Sequence, residues 1–161
     1  MKTRLLMTRC FTLLDRVLRG ITVTLILAML VILAIQVASR YLWGQALSWS
    51  EEIALLGFAW IIAISTALVM RHGMHARMSL LPDSLPPRGR EGLERLIALL
   101  LAALGIALVR SGMSYVLETR GMVSAASQYP LEWLHAVAPA FGVLLTLFAL
   151  ERALLGPEKR P

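Results

Sequence analysis

The sequence predicts an all-α integral membrane protein with four transmembrane helices. Three observations carry this prediction: the composition, four long apolar runs, and an uneven placement of lysine and arginine. Apolar residues make up 58% of the 161 residues and charged residues 16%, against roughly 45–50% and about 25% in soluble domains. A soluble monomer is excluded, because it would leave much of this apolar surface in water. Disorder is excluded too, since disordered chains are poor in apolar residues.

The four apolar runs cover about residues 21–39, 53–70, 93–110 and 134–150. Each has about 17–20 residues, which at 1.5 Å per residue approaches the ~30 Å thickness of the hydrocarbon core. The first run is longer than the roughly 7–15 apolar residues of a signal peptide, and no convincing cleavage site follows it. It is therefore interpreted as a retained anchor. No alternation of period two appears, which argues against a membrane β-barrel.

Lysine and arginine are distributed unevenly around these spans. Of the 16, all but Arg40, Arg110 and Arg120 lie in the N-terminal segment, in the second connection or near the C-terminus. Positively charged loops stay in the cytoplasm, so both termini are predicted to be cytoplasmic (N-in/C-in). Residues 40–52 and 110–133 are then outside. The positive charge is thereby assigned to membrane orientation, and no nucleic-acid partner is expected.

The N-terminal segment, residues 1–19, is amphipathic. Apolar side chains recur there at helical spacing, namely Leu6, Cys10, Leu13, Leu14 and Val17. A helix of this kind lies at a membrane interface, so residues 1–19 are predicted to form an interfacial helix in contact with membrane lipids. The four-helix transmembrane domain is predicted to cover residues 20–152, and residues 153–161 to form a cytoplasmic tail.

The central part of every predicted span lacks Asp, Glu, Lys and Arg. Ionisable groups at membrane depth mark proton relays, ion sites and substrate charges. The sequence therefore indicates a chain that assists a transport protein rather than one that carries a charged solute itself.

No catalytic, metal or cofactor site is predicted. The single cysteine, Cys10, allows no intramolecular disulfide and no cysteine cluster. His72 and His75 are predicted at the cytoplasmic end of span two and His135 at the external start of span four, so His135 shares no haem iron with either. No nucleophile–base pair is apparent, and the protein is not expected to be an enzyme.

The first external connection carries an aromatic belt and two adjacent glutamates. Trp49 belongs to the belt expected at the level of the lipid headgroups. Ser48 and Glu51 have capping-box spacing, which predicts that span two begins there. Arg40 ends span one and is expected to pair with Glu51 or Glu52. Belt, cap and arginine explain these residues without any partner protein.

Four residues are expected to shape the helices. Gly73 is predicted to end span two in a left-handed conformation. Pro139 lies inside span four and removes the hydrogen bond to the carbonyl of His135, which predicts a kink. Gly142 permits close approach of a neighbouring helix, and Pro130 precedes the last helix.

Several segments together resemble a known family. The sequence is similar, over roughly residues 20–152, to the small (Q-type) membrane subunit of the tripartite ATP-independent periplasmic (TRAP) transporters. The segments that carry the resemblance, in chain order, are residues 40–41, 48–52, 71–81, 129–133 and 138–142. Their order on a four-span, N-in chain makes the resemblance specific, although each segment alone is short.

The resemblance implies a role and two protein partners. In that family the small subunit binds a large permease subunit, which carries the solute and coupling-ion sites. A periplasmic solute-binding protein delivers an organic acid, and an ion gradient rather than ATP drives uptake. The resemblance implies a scaffold in a bacterial inner membrane, and it leaves the substrate unidentified.

Candidate external contacts follow from the same resemblance. The stronger candidates for structural or partner contact are Arg40, Trp49, Glu51 and Glu52, and the weaker ones are Glu118, Arg120, Gln128 and Glu132. A structural role is favoured over direct docking of the binding protein, because helix capping already accounts for the glutamates. Two alternatives stay open: a stand-alone four-span transporter, and a structural or regulatory membrane protein unconnected with transport.

Overall fold

A computed structural model describes residues 2–44, 47–71 and 87–155. Within these residues the secondary structure is helical, apart from one isolated antiparallel β-bridge between Val123 and Pro130. The helices are α1 (Lys2–Trp43), α2 (Ser48–Arg71), α3 (Pro87–Glu118), α4 (Glu132–His135) and α5 (Val137–Leu155).

Four helical segments are long and apolar enough to cross a membrane. They are Arg9–Trp43, Ser48–Arg71, Gly92–Glu118 and Glu132–Ala153, so the four predicted spans are confirmed. The third helix is longer than the predicted 93–110, because Tyr115 and Leu117 continue its apolar pattern beyond Arg110. The N-in/C-in orientation stays a prediction.

Helix α1 runs without interruption through the predicted boundary between the interfacial segment and the first span. Its 42 residues give a length of about 63 Å. Gly20 does not break it, since one glycine costs a helix only about 1 kcal/mol. The structure thus has one element where the sequence predicted two. The division at residue 20 and the position of residues 1–19 at the interface stay predictions.

The helices form an open row rather than a closed bundle. In the described residues α1 packs on α2, α2 packs on α5, and α5 packs extensively on α3, giving the order α1–α2–α5–α3. Measured along the helix axes, the row also has two ends. We call them the Glu52 end and the Arg71 end, after residues near the start and end of α2. They are the predicted external and cytoplasmic ends.

Two buried apolar clusters hold the row together. The first joins α1, α2 and α5 through Leu18, Ile64, Ala67, Leu68 and Phe148, and the second joins α2, α3 and α5 through Met70, Ala102, Leu145 and Ala149. Each cluster is confined to one side of its helices. Large apolar side chains elsewhere on α1 and α3 are exposed, for example Val31 (58%) and Leu100 (62%).

Helices α3 and α5 approach each other so closely that glycines of each helix face the backbone of the other. A Cβ atom on Gly142 would lie 2.6 Å from the carbonyl oxygen of Gly105 and 2.9 Å from the nitrogen of Val109. A Cβ atom on Gly112 would lie 2.6 Å from Cδ of Pro139. Small residues at such positions let membrane helices pack backbone to backbone.

The last span is interrupted where the sequence places a proline. The helix stops at His135, turns at Ala136 and resumes at Val137. Pro139 has no N–H to donate to the carbonyl of His135, while the next amide, Ala140, donates to the carbonyl of Ala136 at 3.0 Å. The predicted consequence of Gly73 falls outside the described residues.

One tryptophan links α2 to the start of the last span. The indole Nε1 of Trp60 donates a hydrogen bond to the carbonyl oxygen of Trp133 at 3.1 Å. Trp60→Phe keeps an aromatic ring, although a smaller one, and removes the donor. The lost hydrogen bond is expected to cost about 0.6 kcal/mol, the average for interhelical hydrogen bonds in membranes, and the smaller ring adds a loss of packing against the first apolar cluster. Thermal unfolding in detergent measures it. Trp49→Phe is the control, since Trp49 donates no such bond within the described residues; equal losses would refute the role of the bond.

Candidate functional site

The Glu52 carboxylate holds the second external connection against α2. Its Oε1 accepts a hydrogen bond from the amide of Ala126 at 3.0 Å. Its Oε2 accepts from the amide of Ser127 at 2.8 Å and from the Ser127 hydroxyl at 2.6 Å. Hydrogen bonds to an ionised acceptor are roughly twice as strong as neutral ones. Glu52 therefore anchors a segment that is distant in the sequence.

The anchored segment is a short hairpin, residues 121–131. The amide of Ser124 donates to the carbonyl of Tyr129 at 2.9 Å, and the amide of Leu131 donates to that of Met122 at 3.0 Å. Gln128 closes its tip in a left-handed conformation, with φ of 57°. The hairpin thus has its own backbone hydrogen bonds in addition to the anchor.

A second carboxylate holds the base of the hairpin. Glu132, at the start of α4, accepts a hydrogen bond from the amide of Gly121 at 3.0 Å. Gly121 has a φ of 82°, a conformation that only glycine adopts without strain. The two ends of the hairpin are therefore fixed by Glu132 and Glu52, which gives it a defined position at the Glu52 end.

Tyr129 is a buried residue of the hairpin itself. The side chain is buried, and burial raises the pKa of the Tyr129 hydroxyl, with the negative charge of Glu52 raising it further. Both effects disfavour the phenolate. Tyr129 is thus a neutral packing residue and not a base.

The two neighbouring glutamates of α2 have different partners. Successive residues of a helix point about 100° apart, so Glu52 faces the hairpin while Glu51 faces α1 and accepts a hydrogen bond from Nε2 of Gln36 at 3.3 Å. In the described part of the chain neither glutamate pairs with Arg40, which is exposed. This corrects the expected ion pair.

Helix α2 starts at Ser48, where the capping box was predicted, but a different serine closes its first turn. The amide and hydroxyl of Ser50 donate to the carbonyl of Leu47 at 3.1 and 2.6 Å. No capping bond between Ser48 and Glu51 is present among the residues described. Trp49 stays partly exposed, as expected of a belt residue.

Of the four weaker candidate contacts, two make hydrogen bonds in the hairpin region and two are exposed. Glu132 is in the hairpin network, and the Gln128 amide donates to the carbonyl of Ala125 at 3.2 Å. Glu118 and Arg120 are exposed. They lie at the same end of the row as the hairpin and are available to a partner.

His135 has a structural environment. Its Nδ1 lies 2.7 Å from the Thr119 hydroxyl, and its ring packs against Tyr115 with centroids 4.4 Å apart. It ends α4 and is half-buried against the end of α3. His72 and His75 lie outside the described residues, and within those described no group of three metal-ligating side chains occurs.

The Arg71 end carries an ion-pair cluster that sequence reasoning missed. The Arg71 guanidinium lies between Asp15 of α1 and Glu151 of α5. Local sequence gave one signal: Asp15 is the only acidic residue before Glu51, and it falls between the apolar residues Leu14 and Leu18. An acidic side chain on an apolar face requires a partner.

Comparison with known proteins gives consistent matches. Residues 29–156 match the family described as "Tripartite ATP-independent periplasmic transporters, DctQ component". The chain is 29% identical over 143 residues to the sialic acid TRAP transporter small permease protein SiaQ of Vibrio cholerae, covering 84% of this chain and 82% of that protein. It is also 29% identical over 112 residues to the ectoine TRAP transporter small permease protein TeaB of Halomonas elongata, covering 68% and 58%.

A third relative is a longer protein. The sialic acid TRAP transporter permease protein SiaT of Haemophilus influenzae is 24% identical over 122 residues, which are 76% of this chain but 20% of that protein. A segment similar to most of this chain is thus one part of a much larger permease polypeptide.

Proposed function

The chain belongs to the DctQ-component family of the tripartite ATP-independent periplasmic transporters, and from this membership we propose that it is the scaffold of a large permease subunit. The pair takes up an organic acid that a periplasmic binding protein delivers, and an ion gradient drives the uptake. The small subunit enlarges the anchorage of the permease in the bilayer and holds its static part in place.

The placement of charge is the observation that carries this proposal. The charged side chains that form the two networks described above lie at the two ends of the helices. Asp15, Arg71 and Glu151 are at one end. Glu52 and Glu132 are at the other. The apolar runs between them hold no Asp, Glu, Lys or Arg in their central parts. A path for a charged solute needs polar groups at membrane depth, and such groups are expected in the permease.

The open row supports the same role. Only 6% of the most apolar stretch of α1 is buried within the chain, so lipid or another protein covers the rest. A row of helices offers more lateral surface than a closed bundle of the same helices. The SiaT relative also supports the proposal, because a similar segment there is covalently part of the permease protein.

The substrate class is proposed from the relatives. SiaQ is named for sialic acid and TeaB for ectoine. The networked carboxylates of the described residues bind amides and guanidiniums of this chain itself. Selection is therefore assigned to the partner proteins.

Reconstitution tests whether transport requires both this chain and the large permease subunit. Proteoliposomes are prepared with this chain alone, with the large permease alone and with both, each with the binding protein and a cation gradient. We expect accumulation of labelled organic acid, with sialic acid as the first probe, only when both membrane subunits are present. The tagged chain is also expected to co-purify with the permease from membranes.

Two outcomes would contradict the proposal. Accumulation by this chain alone would make it a stand-alone transporter. Full activity of the permease without this chain, together with failure to co-purify, would favour a structural or regulatory protein unconnected with transport.

A further inference from the structure

Three helices meet at the Arg71 guanidinium. Its Nε and Nη2 donate to the two carboxylate oxygens of Glu151 at 3.0 and 3.1 Å. Its Nη1 lies 3.4 Å from Oδ1 of Asp15, and the exposed fractions of the Asp15, Arg71 and Glu151 side chains are only 10–12%. The guanidinium also lies 5.7 Å from the ring centroid of Phe148. Arg71 of α2 therefore contacts α1 and α5 at once.

The cluster is electrically balanced. Arg19, one helical turn after Asp15, places its Nε 2.9 Å from Oδ2 of that carboxylate. Among the described residues, two carboxylates and two guanidiniums then share one site, and their formal charges cancel.

Net stability is a poor explanation for such a cluster. Desolvation of buried charges offsets their attraction, and well-packed apolar substitutes are often neutral or stabilising. The cluster is better explained by the relative orientation that it imposes on the helices. A bidentate arginine–carboxylate pair has a fixed geometry, whereas apolar side chains tolerate many arrangements.

Helix α1 requires a directional contact more than its neighbours do. In the described residues it packs mainly on α2, with a smaller contact to Phe148 of α5, and most of its apolar circumference is exposed. Lipid tails are as apolar as its side chains, so no hydrophobic force fixes its rotation. A slip of one residue turns the helix by about 100°. Asp15 and, closer to the other end of the helix, Gln36 make polar contacts from α1 to α2.

We infer that the Asp15–Arg71–Glu151 cluster sets the rotational register of α1, and thereby selects the apolar face that α1 presents to the permease subunit. The second clause rests on the proposed function; the first concerns this chain alone. Arg71 is a positioning residue and not a transport site.

Disulfide cross-linking reads the register without any partner. In a Cys10→Ser background, Ala67→Cys on α2 is combined with Leu18→Cys or with its neighbour Val17→Cys. Leu18 and Ala67 share one buried cluster, whereas Val17 is half-exposed. In the full-length chain in membranes we expect the Leu18 pair to cross-link and the Val17 pair to stay unlinked.

The deciding variant removes every charge of the buried triad: Asp15→Asn, Arg71→Met and Glu151→Gln together. We expect normal accumulation and thermal stability, but cross-linking of Val17 as well as Leu18. Co-purification with the permease is expected to fall several-fold. A triple variant that cross-links through Leu18 alone would overturn the inference, whatever the permease does.

A matched control and a conservative variant complete the test. Glu94→Gln with Arg152→Met removes a pair at the same end, between α3 and α5 and 4.0 Å apart; it is expected to leave the α1 pattern unchanged. If the triple variant does not accumulate, Arg71→Lys decides. An ammonium cannot reproduce the bidentate geometry, so Val17 cross-linking is expected, and a wild-type pattern would overturn the inference.

Discussion

Gly142→Ala is expected to separate α3 from α5 and to lower the stability of the protein strongly. The new Cβ would lie 2.6 Å from the carbonyl oxygen of Gly105 and 2.9 Å from the nitrogen of Val109. Both atoms are backbone, so no side chain can rotate away. Overpacking typically costs about 1–3 kcal/mol, and we expect the upper end of that range.

The measurement is thermal unfolding of the purified chain in detergent, together with its abundance in membranes. Gly57→Ala in α2 is the matched control, because no atom of the described residues outside its own helix lies within 4 Å of the added Cβ. That variant is expected to gain about 0.5–1 kcal/mol from helix propensity. Equal stability of the Gly142 and Gly57 variants would contradict the close α3–α5 approach.

Gly105→Ala gives a second test of the same contact. Its Cβ would collide with the Thr146 hydroxyl and lie 2.8 Å from the carbonyl oxygen of Gly142. The Thr146 hydroxyl already donates to that carbonyl at 2.8 Å. We expect a loss in the same direction as for Gly142→Ala, and combined losses well below the sum, since both substitutions open one interface.

Glu52→Arg is expected to release the hairpin of residues 121–131 from α2. The substitution removes the acceptor of the Ala126 and Ser127 amides and of the Ser127 hydroxyl, and arginine has no acceptor to replace it. We expect a several-fold loss of uptake by the reconstituted transporter. Membrane insertion is expected to persist, because the four spans do not depend on this residue.

A buried reporter measures the release directly. Ser124 lies in the hairpin and is 6% exposed, so Ser124→Cys in a Cys10→Ser background is expected to resist maleimide until the hairpin is freed. Glu118→Arg makes the same change of charge at the same end of the row, on an exposed side chain, and is expected to leave Ser124→Cys protected. Intact assembly, normal uptake and a protected Ser124→Cys in the Glu52→Arg variant would remove any role for this carboxylate.

Glu52→Gln separates charge from shape. The amide oxygen can replace Oε2 and accept from the Ser127 amide and hydroxyl, whereas the NH2 group then faces the amide of Ala126, which is itself a donor. We expect labelling and uptake between those of the wild type and of Glu52→Arg. Labelling at the wild-type level would show that geometry rather than charge fixes the hairpin.

The spans were predictable because the bilayer sets their length. Apolar runs of about 17–20 residues have few other uses in a chain this poor in charge. Two helix boundaries were predictable because residues next to the boundary determine them. Helix α2 starts at Ser48, and the last span is interrupted just before Pro139. Amphipathic spacing likewise indicated a helix over residues 1–19, although not its continuity with the span.

Contacts between residues that are distant in the sequence were not predictable. Glu51 and Glu52 are adjacent and chemically equal in the sequence, yet one contacts α1 and the other a loop between the third and fourth spans. Which glutamate faces which element depends on the rotation of α2, and local spacing carries no record of that rotation. The expected pair with Arg40 was wrong for this reason.

The sequence by itself determined that this is a membrane protein of four helices with an apolar interior and charges near its ends. Those properties follow from transfer free energies, which depend on the residue types along each segment. Only the tertiary structure decided that the helices form an open row and that Asp15, Arg71 and Glu151 meet in one site. For a helix surrounded by lipid, the free energy differs little between one apolar neighbour and another. A few glycines and polar contacts therefore determine which helices pack together.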